Sequence, residues 1–124
     1  MKLLPTFVVT LLVLLGAVGC VLQADREISV EYVYPDSQRT ELTIRYRVPP
    51  PPSGKVYVLW LLDAEDGKRS RGGVVQPSQR IRTIKTSVDY RVTGVVVSIE
   101  SSPEASQMSN TWALKSGRLS DSER

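Results

Sequence analysis

The sole cysteine of the 124-residue chain is Cys20, and it closes a leader of the kind that carries proteins out of the cytoplasm. Lys2 supplies a positive start, Leu3 through Leu15 form an apolar run, and Gly16-Ala17-Val18-Gly19 keeps the junction small. An exported chain with one thiol at this junction has no second cysteine to pair with, so no disulfide can staple the exported portion. The residues beyond Cys20 are expected to hold together by a packed core alone.

Three fates of the leader are open. Ala17-Val18-Gly19-Cys20 resembles the lipobox of bacterial lipoproteins, with Ala17 where that family usually has Leu. The resemblance implies that the Cys20 thiol is acylated, the preceding peptide bond is cut, and Cys20 becomes the N-terminus. Ordinary cleavage would instead leave a free thiol, and an uncleaved stretch from Leu3 to Leu22 is long enough to span a hydrocarbon core of about 30 Å. All three place the rest of the chain outside the cytoplasm, in a bacterial cell envelope. The expected organisation is a lipoprotein signal peptide over 1–19, a lipidated tether over 20–26, a β-sandwich over 27–115, and a polar, disordered tail over 116–124.

Charge and composition narrow the function. Beyond the leader there are 15 basic and 13 acidic side chains. Arg39, Arg45, Arg47, Arg69, Arg71, Arg80 and Arg82 are spread along the chain among acids, which is not a nucleic-acid footprint. Histidine is absent, so the commonest general base and the commonest transition-metal ligand are both missing. Glu65, Asp66, Asp89 and Glu100 show no catalytic spacing. Asp63-Ala64-Glu65-Asp66-Gly67 lacks the alternating ligands and the distant bidentate Glu of a calcium loop, and Asp-Gly marks a hairpin turn. No catalytic residue, metal or cofactor is expected, and the chain reads as non-enzymatic.

Period-two alternation predicts strands. Ile28, Val30, Tyr32 and Tyr34 share one face, and so do Leu42, Ile44, Tyr46 and Val48 within Thr40 to Val48. Pro49 to Pro52 cannot join a ladder and predict a stiff crossover between sheets. Lys55 to Asp63 is apolar on both faces, the mark of a central strand, with Trp60 expected against the opposite sheet. Arg69 to Gln76 pairs back across the turn, with Gly72-Gly73 predicting a bulge or a close approach. Gln79 to Val88 is a weaker strand, and Arg80 to Tyr90 is open to a helical turn instead. Thr93 to Glu100 and Asn110 to Lys115 complete the set, the last bringing Trp112 and Leu114 inward. Seven strands with no amphipathic helix predict an all-β, immunoglobulin-like, two-sheet antiparallel sandwich.

Two stretches add a family. Gly54-Lys55-Val56-Tyr57-Val58-Leu59-Trp60-Leu61-Leu62-Asp63 is similar to the central strand of the extracytoplasmic C-terminal domain of anti-sigma-K factors, typically Gly-Lys-x-Tyr-x-x-Trp before an acidic turn. Val95 to Ser106 resembles that family's Val-Thr-Leu-Glu-Pro-x-Gly-Gly-Ser segment, although Ser102-Pro103-Glu104-Ala105 replaces the Pro-x-Gly-Gly element. The family's sigma-binding helices and transmembrane segment are read as having no counterpart here. The resemblance therefore implies an interaction or sensory module held at the membrane by its N-terminal lipid and facing an envelope protein partner. The alternative is a lipoprotein that binds a small ligand or glycan through the loops at Asp63 to Gly67 and Ser101 to Ser109.

Overall fold

Alternation builds the first sheet. In β1 (Glu27–Val33) and β2 (Thr40–Val48) every second residue turns inward, so Leu42, Ile44, Tyr46 and Val48 are buried while Glu41 and Arg45 stay exposed. The computed structural model describes residues 25–119, and every regular element among them is a strand. The others are β3 (Val56–Asp63), β4 (Lys68–Val75), β5 (Ser78–Val88), β6 (Gly94–Glu100) and β7 (Trp112–Gly117). They form two antiparallel sheets, ordered β1-β2-β5 and β4-β3-β6-β7. The expected seven-strand, two-sheet sandwich is what the chain adopts. Of Arg80 to Tyr90, open to a helical turn on sequence, all but Asp89 and Tyr90 lie within β5, and Arg82 to Val88 pair with β2.

The proline segment carries the chain from β2 in one sheet to β3 in the other, and β3 is buried from Tyr57 through Asp63. Tyr57, Leu59 and Leu61 face the three-stranded sheet and pack with Leu42, Ile44, Tyr46, Val48, Val95 and Val97. The even-numbered side chains of β3 point the other way. Trp60 therefore does not lie against the opposite sheet, as expected, but is 3% exposed on the outer face of its own sheet. There it clusters with Val58, Leu62 and Val96, with Val56, Met108 and Leu119 packed around them. The four-stranded sheet is thus apolar on both faces.

Two local irregularities in the four-stranded sheet re-aim side chains, and a third interrupts the β2–β5 pairing between Tyr46 and Val48. In β4, Leu59 pairs with Gly73 and Trp60 with Arg71, leaving Gly72 as the extra residue of a bulge. A Cβ on Gly72 would lie 2.9 Å from Leu59 Cδ2, so both parts of the Gly72-Gly73 expectation hold. In β7, Val97 pairs with Leu114 but Ser98 pairs with Trp112, which makes Ala113 the extra residue. Because that bulge shifts the alternation by one, Leu114 stays in the core while Trp112 turns to the outer face and is 37% exposed. The inward placement of Trp112 is corrected accordingly. Tyr34, expected on the inner face, lies just past β1 and is also exposed.

Four tyrosine hydroxyls tie the two halves of the sandwich together. Tyr32 and Tyr34 donate to the carbonyls of Ser116 and Val92 at 3.3 and 2.8 Å. At the other end, Tyr46 donates to Gln76 O at 2.9 Å and Tyr57 to Pro49 O at 2.6 Å. The rings of Tyr32, Tyr46 and Tyr57 fill apolar space, Tyr34 is 47% exposed, and each hydroxyl satisfies a carbonyl outside its own strand ladder. Burial raises the pKa of all four phenols, that of Tyr32 to about 12.

Candidate functional site

The strand directions divide the loops between two ends. The chain enters β1 at Glu27, beside the end of β2 at Val48, and β6 ends at Glu100 opposite Val56. That entry end therefore holds the proline crossover, the Gln76-Pro77 link and the loop from Ser101 to Thr111. The far end holds the 34–39 turn, the 64–67 hairpin turn and the 89–93 link. Asp63 to Gly67 and Ser101 to Ser109 consequently sit at opposite ends of the sandwich and do not converge on one binding surface.

The far end is concave. A cleft of about 590 Å³ runs between the three loops, lined by Gln38, Asp63, Asp66, Lys68, Tyr90 and Arg91 among others. Its hairpin is built by local chemistry: Asp63 Oδ1 accepts from Glu65 N at 3.0 Å, and Gly67 takes a φ of 66°. Thr40 knits the floor, donating to Tyr90 O at 2.9 Å and accepting from Val92 N at 3.0 Å. Arg91 lies 5.8 Å from the ring centre of Tyr34 and 3.5 Å from Glu65, which also meets Arg118 at 3.5 Å. Asp63 is thus held by its turn and Glu65 by cations. Among the described residues no group of three His, Cys, Asp or Glu is placed to hold a metal ion.

The entry end carries a buried polar chain that composition does not reveal. Trp60 Nε1 donates to Ser98 Oγ at 2.7 Å, and Ser98 Oγ donates to Glu100 Oε2 at 2.5 Å. The same carboxylate oxygen accepts from Ser109 N at 2.9 Å, which pins the 101–111 loop to β6. Glu100 is only 7% exposed. Burial pushes its pKa up, but the hydrogen bonds from Ser98 and Ser109, with Lys55 nearby, outweigh burial and leave it below the ordinary value of 4.5. Its signal in the sequence is faint, a lone acid at a strand end.

A lowered folded-state pKa stabilises the protein above the unfolded value and loses that contribution as pH falls through the folded value. Glu100→Gln should therefore cost about 1 to 3 kcal/mol at neutral pH, as hydrogen bonds to a charged acceptor do. In denaturant titrations the gap between wild type and variant should narrow as pH drops below 4.5, the ordinary glutamate value. A gap unchanged at acid pH would show that the charge of Glu100 is not what matters.

Cys20, the expected lipidation residue, lies outside the described residues. β7 runs to Gly117, two residues beyond the expected edge of the sandwich. Among the described residues no helix is long and apolar enough to cross a membrane.

Comparison with known proteins gives one family. The family model described as anti-sigma-K factor rskA, C-terminal, matches residues 8–111. That span takes in both N-terminal strands and begins inside the apolar run, well before Gly54, where the quoted family motifs start. No curated protein and no solved structure matches the chain.

Proposed function

Because the chain belongs to the family of anti-sigma-K factor C-terminal domains, we propose that it is a non-enzymatic module for protein interaction, held on the outer side of a bacterial membrane. Membership implies protein partners and membrane association in general. The finer reading adds that acylated Cys20 is the anchor and that the sandwich faces the extracytoplasmic space. The observation that carries it is the position of the chain entry. With the anchor before Glu27, the proline crossover and the 101–111 loop sit near the bilayer while the 34–39, 64–67 and 89–93 loops point away from it. Those loops are then within reach of an envelope protein.

Several acyl chains give stable attachment at about 0.8 kcal/mol per buried CH₂, whereas one chain alone is marginal. Cys20→Ala should therefore move the protein out of the membrane fraction, with release read by fractionation and blotting. A second reading has its own support, because the family match begins at residue 8 and so includes much of the apolar run. If Cys20→Ala remains in the membrane fraction with residues 1–19 attached, that run is the anchor and the lipid is not.

A further inference from the structure

Residues 68–88 carry six cations, Lys68, Arg69, Arg71, Arg80, Arg82 and Lys85, and no acid, although the whole chain is only +3. The remainder of the chain is therefore net negative. Folding concentrates this asymmetry further, since β4 and β5 are the edge strands of different sheets and are joined by Gln76-Pro77 alone. β1 and β7 meet on the opposite side of the sandwich, where Tyr32 bonds Ser116. One side of the molecule is thus basic along its length. All six side chains are exposed, and none has an ion-pair partner among the described residues.

The two edges differ in what they offer. β4 is interrupted by the Gly72 bulge, which spoils an edge for further pairing. β5 is the longer strand, 11 residues, hydrogen-bonded to β2 on one side only; its own irregularity lies near its start, between Ser78 and Arg82, and leaves 82–88 in unbroken register. At about 3.3 Å per residue the regular stretch over 82–88 presents roughly 23 Å of edge backbone, whereas Arg80 N and O are already engaged by Ser78 Oγ. Ile81, 49% exposed, stands on it between Arg80 and Arg82. Arg82 lies opposite Tyr46 in the ladder, and its charge is close enough to the phenol to counter part of the rise that burial gives its pKa.

We infer that the free edge of β5 is a docking site for an extended acidic peptide segment of a partner protein, which adds to the three-stranded sheet as a fourth strand. This deepens the proposed interaction role by naming the surface and the chemistry of what it takes. The backbone ladder supplies pairing along 82–88, Asp or Glu side chains meet Lys85 and, beyond the end of the ladder, Arg80, with Lys68 and Arg69 alongside, and an apolar residue covers Ile81. Like charge excludes a second copy of the same edge, which is how basic edge strands avoid self-pairing. An anionic bilayer fits less well, because the six charges run the length of the strands rather than gathering at the entry end.

The test uses purified full-length protein and a labelled ten-residue peptide of repeated Glu-Glu-Val-Val, which presents acids and valines on both faces of a strand, followed by fluorescence anisotropy. Saturable binding is expected, weakened about tenfold or more in Arg80→Glu/Lys85→Glu, whose exposed sites should leave the melting temperature nearly unchanged. A peptide methylated on alternate backbone nitrogens should bind about tenfold weaker, since it cannot complete a ladder. Equal binding of the methylated peptide, or binding indifferent to the charge reversals, would overturn strand addition at β5. So would binding to phosphatidylglycerol vesicles without binding to the peptide, which would make the basic side a membrane contact. None of these outcomes depends on Cys20, so failure here is distinct from failure of the anchoring reading.

Discussion

Trp60→Ala should destabilise the protein by about 3 to 5 kcal/mol, the range for removing a buried tryptophan. Nothing of the first core is touched, because Trp60 belongs to the outer cluster with Val58, Leu62 and Val96. The cost arises from the cavity left among those side chains and from Ser98, whose hydroxyl loses its donor while still committed to Glu100. Trp60→Phe separates the two contributions. It keeps most of the apolar contact and forfeits the indole hydrogen bond, so about 1 to 3 kcal/mol is expected. Urea denaturation of both variants checks this, and a loss below about 1 kcal/mol in Trp60→Ala would show that the outer face is not a second core.

Gly117→Val carries the other large effect. Gly117 holds a φ of 83°, a left-handed backbone that a β-branched residue adopts only under strain. Space is closed as well, since an added Cβ would run into the Tyr32 hydroxyl and the Thr93 carbonyl and lie 3.0 Å from Gly94 Cα. Gly94 and Gly117 face each other across β6 and β7, so the main chains have no room to separate without opening the ladder that Arg118 N extends to Thr93 O at 2.8 Å. Strain of about 1 to 3 kcal/mol adds to a similar overpacking cost. Each kcal/mol shifts the melting temperature of a domain of this size by about 4 to 8 °C, so a drop well above about 10 °C is expected. Gly67→Ala is the contrast. Its φ is 66° but open space surrounds it, and only the conformational cost of about 1 kcal/mol applies.

The range of the forces involved decides which features are legible in the sequence. Alternation in β1 and β2 is local, so the buried row from Leu42 to Val48 can be read directly. Gly72-Gly73 announces its bulge because a missing side chain is itself the signal. Trp112 is misplaced by alternation because Ala113 gives no such sign, and only pairing with Val97 and Ser98 reveals the extra residue. Trp60 falls on the wrong face for a related reason. An apolar strand buried on both sides does not say which face meets the other sheet, and the segments packed on its outer face, around Met108 and Leu119, are remote in sequence. The basic side between β4 and β5 is only partly hidden: the acid-free run over 68–88 can be read in the sequence, but that its two strands are edge strands of different sheets is set by a strand order that sequence spacing does not contain. Glu100 needs the 101–111 loop folded back onto β6 before it becomes a buried, hydrogen-bonded carboxylate.

The anchored reading meets its most direct test in the chemical identity of the N-terminus. Intact-mass and N-terminal peptide analysis of the protein extracted from bacterial membranes should find a chain that begins at Cys20 and carries acyl mass on that residue. A chain retaining residues 1–19, or one beginning at an unmodified Cys20, would contradict the lipid tether on which the outward-facing arrangement of the sandwich is built.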